Sequence, residues 1–223
     1  MPVTVEDQQR ISTAIAEAEK HTSGEIFCIL STERHRYVEW IIALAAIIAF
    51  LLPWLATMAG FGPERWAHLF GFWPGQSLSE RLTIDIFTAG QALTFLAALV
   101  LLWWSPLASR LAPRRLRQER LHEMALRQFI THNVHATSQR TGVLIFVSLE
   151  DHVVEVLADK GIYTKVQPEH WADTVAALVE GLRRDRPAEG FIAAITLAGE
   201  VLSRHFPPQP DNPNELANHL IVL

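Results

Sequence analysis

The stretch RTGVLIFVSLEDHVVEVLADKGI, Arg140 to Ile162, predicts two adjacent strands joined by a short turn. GVLIFVS is a continuous apolar run, as expected for a strand that is covered on both faces. VVEVLAD predicts the second strand, and Lys160-Gly161 marks its end. This hairpin is typical of a water-soluble domain, yet it follows a long apolar region. The fold therefore depends on how the hairpin and the apolar region are combined in one chain.

Two long segments without Asp, Glu, Lys or Arg precede the hairpin, Trp40 to Gly62 and Ile86 to Ser109. A helix needs about 20 apolar residues to cross the hydrocarbon core of a membrane, and both segments are long enough. Interfacial aromatic residues are expected at the ends of such helices, and four tryptophans lie there: Trp66, Trp73, Trp103 and Trp104. We therefore predict two transmembrane helices; the alternative is a pair of buried core helices.

Basic residues predict the orientation of these helices. They flank the pair on one side, as Arg34, Arg36, Arg110, Arg114, Arg115, Arg117 and Arg120. The connecting loop, about 63–85, has only Arg65 and Arg81 together with acidic residues. The positive-inside rule then places both termini in the cytoplasm, in an integral protein of the inner (cell) membrane with two spans. The arginine-rich LAPRRLRQER is interpreted as an anchor to anionic headgroups.

The residues before the first apolar segment predict one helix and one strand. Residues 4–21 read as a helix in which Thr4 and Asp7 form a capping-box-like start, and EIFCILS follows as a strand. A lone strand is not stable in water, and an even number of crossings returns the chain to the same side. EIFCILS is therefore expected to pair with GVLIFVS. The predicted fold class is α/β: an α/β/α sandwich domain interrupted by a two-helix transmembrane hairpin.

Further helices are predicted around the hairpin. Residues 112–138 have an apolar stripe of Leu121, Ala125 and Phe129. Two later helices have apolar faces at helical spacing: Trp171, Val175, Leu178 and Leu182 in one, and Phe191, Ile195, Ala198 and Leu202 in the other. The predicted divisions are 1–36 (first helix and strand), 37–109 (membrane helices), 110–207 (remainder of the domain) and 208–223. The last is a Pro-rich tail that is expected to be disordered, with NHLIVL able to dock.

Composition limits the classes of partner. The net charge is −5, and hydrophobic residues make up 49% of the chain against 19% charged residues. Nucleic acid is excluded as a partner because a nucleic-acid-binding domain would need a clustered basic face. Cys28 is the one cysteine, so an intramolecular disulfide is excluded, and its place within EIFCILS predicts a small buried hydrophobe.

Several short elements match a known family in order. The run T-x-x-R-T-GVLIFVS from Thr137, then D-H-x-V-EVLAD-x-GI, a Trp at 171, AEGF and HFP resemble the TPM domain family. That family includes TLP18.3, Psb32 and MOLO-1 proteins and bacterial membrane proteins with the domain beside transmembrane helices. The resemblance covers about Leu121 to Pro207, and HTSGEIFCIL resembles the opening strand of the family. It implies an α/β/α sandwich, acid phosphatase activity or calcium binding in some members, and assembly, repair or accessory roles in others.

Four residues near the strand ends are candidates for a ligand or ion site. Asp151 lies in the hairpin turn and Asp159 at the end of the second strand, while Arg140 and Lys160 could contact a phosphate. Carboxylates at these places could hold Ca²⁺, which prefers oxygen ligands, although few acids surround them. The alternatives are that Asp151 is an ordinary turn residue and that Asp159 caps the turn before Lys160-Gly161.

The sequence has no phosphatase loop of the CxxxxxR type, no GxSxG, no HExxH and no Walker A motif. His132 and His135, with His122 upstream, could share a metal or could be solvated. Two functions therefore stay open. We favour a membrane-anchored interaction or assembly module whose partner is another protein. The alternative is a weak acid-phosphatase-like hydrolase, with a divalent metal as its candidate cofactor. Convergence of Asp151 and Asp159 on one cleft would favour the hydrolase.

Overall fold

The computed structural model describes residues 3–33, 37–62, 65, 79–105, 111–151, 153–209 and 213–223. The chain divides into two compact units, Met1–Arg34 with Arg114–Leu223 and His35–Pro113. The first is the α/β unit, and the second contains the two apolar helices. Some residues used for the topology prediction lie outside the described part: most of the loop with Trp66 and Trp73, and the arginines Arg34, Arg36 and Arg110.

The chain enters the α/β unit through helix α1, Val5–Glu19. Thr4 and Asp7 form the capping box that the sequence predicts: Asp7 N donates to Thr4 Oγ1 at 3.1 Å, and Thr4 N donates to Asp7 Oδ2 at 3.2 Å. This exchange satisfies two backbone donors that a helix start would otherwise leave unpaired. Strand β1, Glu25–Ser31, follows and is buried along its whole length.

The described residues form a four-stranded sheet in the order β3-β2-β1-β4. Strand β2, Gly142–Ser148, pairs parallel with β1, and β3, Val153–Ala158, pairs antiparallel with β2. The predicted pairing of EIFCILS with GVLIFVS is therefore confirmed. Strand β4, Leu220–Val222, pairs parallel with β1 on its other side. Part of the predicted tail thus supplies an edge strand of the sheet. Residues 210–212 lie outside the described part.

One face of the sheet is covered by α1 and by the two late helices, α6 (Ala172–Arg183) and α7 (Pro187–His205). The apolar stripe predicted for the last helix is buried in this layer, as Phe191, Ile195, Ala198 and Leu202. A short helix, α5 (Lys160–Tyr163), connects β3 to this layer by way of a 3-10 turn at Pro168–Trp171.

The opposite face of the sheet is covered by helix α4, Arg114–Thr131, which buries the predicted stripe of Leu121, Ala125 and Phe129. The α/β/α sandwich is therefore confirmed. The helix is shorter than the predicted span of 112–138. Asn133 has a φ of 57°, in the left-handed region that Asn tolerates better than most residues, and this conformation ends the helix. A short 3-10 helix, Val134–Ala136, follows before β2.

The second unit consists of α2, Val38–Met58, and α3, Glu80–Trp104. Ala45 of α2 and Ala98 of α3 lie in the buried seam of this pair, where small side chains allow close approach of the backbones. Both helices are long and apolar enough to cross a membrane, and only 22% of the most apolar window of each is buried inside the protein. By length and composition, both helices are therefore candidate membrane spans.

Candidate functional site

Asp159 stands where β3 ends and the chain turns into α5. Its backbone N donates to Gly142 O at 2.8 Å, which extends the β2–β3 ladder by one bond. Its Oδ1 accepts a hydrogen bond from Lys160 N at 2.6 Å and caps the start of α5. The Lys160-Gly161 pair that the sequence suggests as a strand terminator is thus the first turn of a short helix. One oxygen of Asp159 has the capping role considered for it.

The other carboxylate oxygen of Asp159 has a different environment. The residue is 6% exposed, and Oδ2 is buried without a hydrogen-bond partner among the described residues. A buried acceptor that forms no hydrogen bond costs about 1–3 kcal/mol, and more when it is charged. Oδ2 is therefore the atom of this region with unused capacity to bind a ligand or a cation.

Arg140 and Lys160 come from the same end of the sheet as Asp159. Arg140 has a φ of 57°, and its N donates to Thr137 O at 3.0 Å in the turn that enters β2. Gly161 packs directly on this turn: a Cβ there would lie 2.5 Å from Arg140 O, so the close approach requires glycine. The side chains of Arg140 and Lys160 are exposed. The structure thus brings Arg140, Asp159 and Lys160 to one end of the sheet.

Asp151 lies at the opposite end of the sheet, in the turn between β2 and β3. Its N donates to Ser148 Oγ at 3.3 Å, and Ser148 Oγ donates to its Oδ2 at 3.2 Å. The six residues of β3 separate Asp151 from Asp159, which at roughly 3.3 Å per residue amounts to about 20 Å. The two aspartates therefore do not share a cleft, and Asp151 is engaged in its own turn.

The three histidines considered for a metal site have separate surroundings. His122 Nδ1 lies 3.0 Å from Glu155 Oε1. The rings of His132 and His135 lie against Phe27 and Phe129, at centroid distances of 5.0 and 6.5 Å. Within the part of the chain that the structure describes, no group of three or more His, Cys, Asp or Glu residues could hold a metal ion.

Calcium, which the family resemblance implies, can be tested against the donors at either end of the sheet. Ca²⁺ takes about six to eight oxygen ligands. The Asp159 end offers one carboxylate oxygen without a partner, beside two exposed cations, Arg140 and Lys160. Asp151 lies too far away to add a second carboxylate to the same ion. The four candidate residues therefore do not fit a shared calcium site.

Sequence reasoning missed two buried carboxylates, Glu19 and Glu25. Glu19 is 8% exposed and accepts hydrogen bonds from Ile26 N at 2.9 Å and from Asn218 Nδ2 at 2.5 Å. Glu25 is buried and accepts from Leu216 N at 3.1 Å. A signal for Glu19 was present, because it continues the α1 stripe of Ile11 and Ile15 at a spacing of four residues.

The pKa values of these acids are shifted by their burial. Burial, and then the charge of Glu25, raise the pKa of Glu19 from 4.5 to about 8, against the lowering by its hydrogen bonds. Burial and the charge of Glu215 raise the pKa of Glu25. Cys28 is fully buried, and burial followed by the charge of Glu19 raises the pKa of its thiol. Cys28 is thus the buried apolar residue predicted from the sequence, since a thiol in this state is a poor nucleophile.

Comparison with known proteins supports the family resemblance. The family model described as the TPM domain matches residues 111–201. The NMR structure of the BA42 protein from the psychrophilic bacterium Bizionia argentinensis has a similar fold, with a TM-score of 0.58 and 19% sequence identity over 100% of this chain and 97% of that chain. A comparison with curated proteins gives no match. Residues 111–201 are therefore similar to the TPM domain, and this match spans less than half of the chain.

Proposed function

We propose that the protein is a membrane-anchored interaction module in which the α/β unit binds another protein. The two apolar helices stand between β1 and α4 in the chain, so a membrane that holds them would hold the α/β unit by two connections. The observation that carries the proposal is that the buried acidic groups of the α/β unit are hydrogen-bonded to the protein's own chain and are not gathered in one catalytic cleft. Asp151, Glu19 and Glu25 hold parts of the protein's own chain, and Asp151 is separated from Asp159 by the length of β3.

An exposed apolar pair on α4 supports the choice of a protein partner. Leu126 and Ile130 are 45% and 56% exposed and lie one turn apart on the surface of this helix. The stripe formed by Leu121, Ala125 and Phe129 already covers the sheet, so Leu126 and Ile130 are not part of that core. Apolar side chains at a spacing of four residues on a helix form a contact surface that a partner could bury.

A photo-crosslinking amino acid at position 126 tests this proposal in intact cells. We expect a discrete crosslinked product, and we expect Ile130→Asp to reduce its yield because a charge on the same surface opposes apolar docking. Ala176 is the matched control, since it is exposed on α6 in the opposite layer of the sandwich. Crosslinking of equal yield from position 176, or a yield from position 126 that Ile130→Asp leaves unchanged, would argue against a specific partner on α4.

A weak acid-phosphatase-like hydrolase is the second candidate, and the unpaired Oδ2 of Asp159 is the observation that favours it. The exposed cations of Arg140 and Lys160 come from the same end of the sheet and could attract a phosphate. Hydrolysis of p-nitrophenyl phosphate by the purified protein tests this candidate. Asp159→Asn should abolish such activity and Asp151→Asn should leave it intact, whereas activity that survives in both variants would exclude this site.

The proposed arrangement in the cell is an inner-membrane protein with two spans and with both termini and the α/β unit in the cytoplasm. We divide the chain into residues 1–36, 37–109, 110–207 and 208–223, as the sequence suggests. We change the last division in one respect. Residues 213–223 are assigned to the α/β domain, because β4 pairs with β1.

A further inference from the structure

A cavity of about 300 Å³ lies between α7 and the start of α6. The 3-10 turn at Pro168–Trp171 and the first turn of α6 supply one side of its lining. Leu197 and Val201 of α7, both half-buried, form an apolar part of the other side. This volume is at the lower end of those of small-molecule sites, so the cavity could hold a small ligand.

Thr174 lines this cavity and has an unused hydrogen-bonding group. The residue is 0% exposed, and its Oγ1 is buried without a hydrogen-bond partner among the described residues. Threonines within helices commonly donate to the carbonyl four residues earlier, as Thr196 of α7 does to Ile192 O at 2.9 Å. A buried hydroxyl without a partner is unfavourable, and a ligand in the cavity could supply the partner that Thr174 lacks.

Three acidic side chains give the cavity an excess of negative charge. They are Glu169 before α6, Asp173 in its first turn, and Glu200 of α7. Arg204 lines the same cavity, and its Nη2 lies 3.8 Å from Glu200 Oε2. Within the described part of the chain, Glu169 and Asp173 form no comparable ion pair. A cation shared by these two carboxylates would offset their repulsion.

His170 adds a further acceptor to the lining. Its Nδ1 lies 3.2 Å from Gln167 O, and because a carbonyl oxygen only accepts, Nδ1 carries the proton of this bond. The neutral ring then has Nε2 as an acceptor. Carboxylate oxygens, an imidazole nitrogen and a hydroxyl oxygen can all accept hydrogen bonds. The ligand that fits them is therefore a donor of several hydrogen bonds as well as a cation.

We propose that this cavity binds a small organic cation with N–H donors, of the primary alkylammonium class. The ammonium group would bind Glu169 and Asp173 and donate to Thr174 Oγ1, while its methylene groups would lie against the apolar part of the lining. A metal ion fits less well, because no group of three or more His, Cys, Asp or Glu residues in the described ranges could hold one. This site is independent of the protein-binding role proposed for α4.

Calorimetric titration of the full-length protein in uncharged detergent micelles with putrescine, a four-carbon diamine, tests the site. Its permethylated bis-quaternary analogue keeps both charges and the methylene chain but has no N–H donor. We expect saturable binding of putrescine and at least about tenfold weaker binding of the analogue, because the analogue cannot donate to Thr174. Constant ionic strength keeps the screening of charges equal, and protein-free micelles give the blank.

Variants of the lining separate the hydroxyl from the charge. Thr174→Val keeps the shape and removes an oxygen that has no partner, so it should stay folded and bind putrescine about tenfold more weakly. Thr174→Ser retains the hydroxyl and should retain the affinity. Asp173→Asn should also weaken binding about tenfold. Glu180→Gln is the matched control, because Glu180 is exposed on α6 and paired with Arg184 at 2.8 Å, and it should leave the affinity unchanged.

Absence of saturable putrescine binding would overturn the proposal. Equal affinities for putrescine and its permethylated analogue would do the same, because attraction by charge alone would then be sufficient. Binding that Thr174→Val leaves unchanged would place the amine elsewhere, and this test stands even if Asp173→Asn failed to fold. Displacement of putrescine by Ca²⁺ alone at constant ionic strength would make the cavity a metal site and would contradict the assignment of an organic cation.

Discussion

Cys28 of β1 lies directly opposite Ile145 of β2, although both apolar helices stand between them in the chain. The two strands lie at the centre of the sheet, and all of their residues are buried. The α/β core is thus assembled from two distant pieces of sequence. Neither piece has a complete sheet by itself, and this has a direct consequence for folding.

A fragment that begins at Arg114 should fold poorly, because it lacks the strand that joins β2 to β4. Joining residues 1–33 to residues 114–223 through a flexible linker should restore cooperative unfolding, since closing a loop of moderate length costs only a few kcal/mol. Circular dichroism during urea unfolding would measure the cooperativity of unfolding of the fragment and of the joined protein. The prediction that the two apolar helices interrupt a single α/β domain would be wrong if the fragment alone unfolded as cooperatively as the joined protein.

The strand pairing could be predicted because EIFCILS and GVLIFVS are both continuous apolar runs. Such runs are typical of strands in a sheet that helices cover on both faces, and a lone strand is not stable in water. Strand β4 could not, because three apolar residues after a Pro-rich stretch have no periodicity to detect. The separation of Asp151 from Asp159 was already implied by the predicted hairpin, since residues before and after one antiparallel strand lie at opposite ends of a sheet. Glu19 continues the buried stripe of α1, but its hydrogen bond with Asn218, a residue far away in the chain, could not be predicted.

Gly161→Ala should destabilise the α/β unit by about 1–3 kcal/mol, as expected for overpacking at a close contact. The new Cβ would lie 2.5 Å from Arg140 O and 2.8 Å from Gln139 O, and backbone atoms cannot move aside as a flexible side chain can. Gly62→Ala is the matched control, because a Cβ there meets no described atom within 4 Å. Equal melting temperatures for Gly161→Ala and the wild type would show that this turn is not rigid.

The proposed orientation predicts that a cysteine at Ser77 is accessible from outside the cell. Cys28 is fully buried but should be replaced by alanine in this experiment to remove any background. A membrane-impermeant maleimide should then label Ser77→Cys in intact cells, and should label Ala217→Cys, shortly before β4, only after lysis. The opposite pattern would reverse the orientation, and labelling of both positions in intact cells would exclude a two-span topology with cytoplasmic ends.

The raised pKa of Glu19 also predicts how global stability depends on pH. The native state holds the proton up to about pH 8, whereas the unfolded chain releases it near 4.5, so stability from this group is lost as the pH rises between these values. We expect the free energy of unfolding to fall by about 1–3 kcal/mol over this window through Glu19. Glu19→Gln should flatten the dependence. A wild-type stability that increases from pH 5 to pH 8 by the same amount as in Glu19→Gln would contradict this assignment.

Asp159 separates the two proposed functions most directly. Asp159→Asn keeps the oxygen that caps α5 and replaces the buried, unpaired Oδ2 by an uncharged amide nitrogen, so it should change stability by no more than about 1–3 kcal/mol. Asp159→Ala removes the cap and should cost about 1 kcal/mol. Millimolar Ca²⁺ should leave the melting temperature of the wild type unchanged, because one carboxylate oxygen beside two cations is a poor calcium site. A rise of several degrees that is lost in Asp159→Asn but kept in Asp151→Asn would instead establish an ion site at this end of the sheet and would favour the hydrolase over the interaction module.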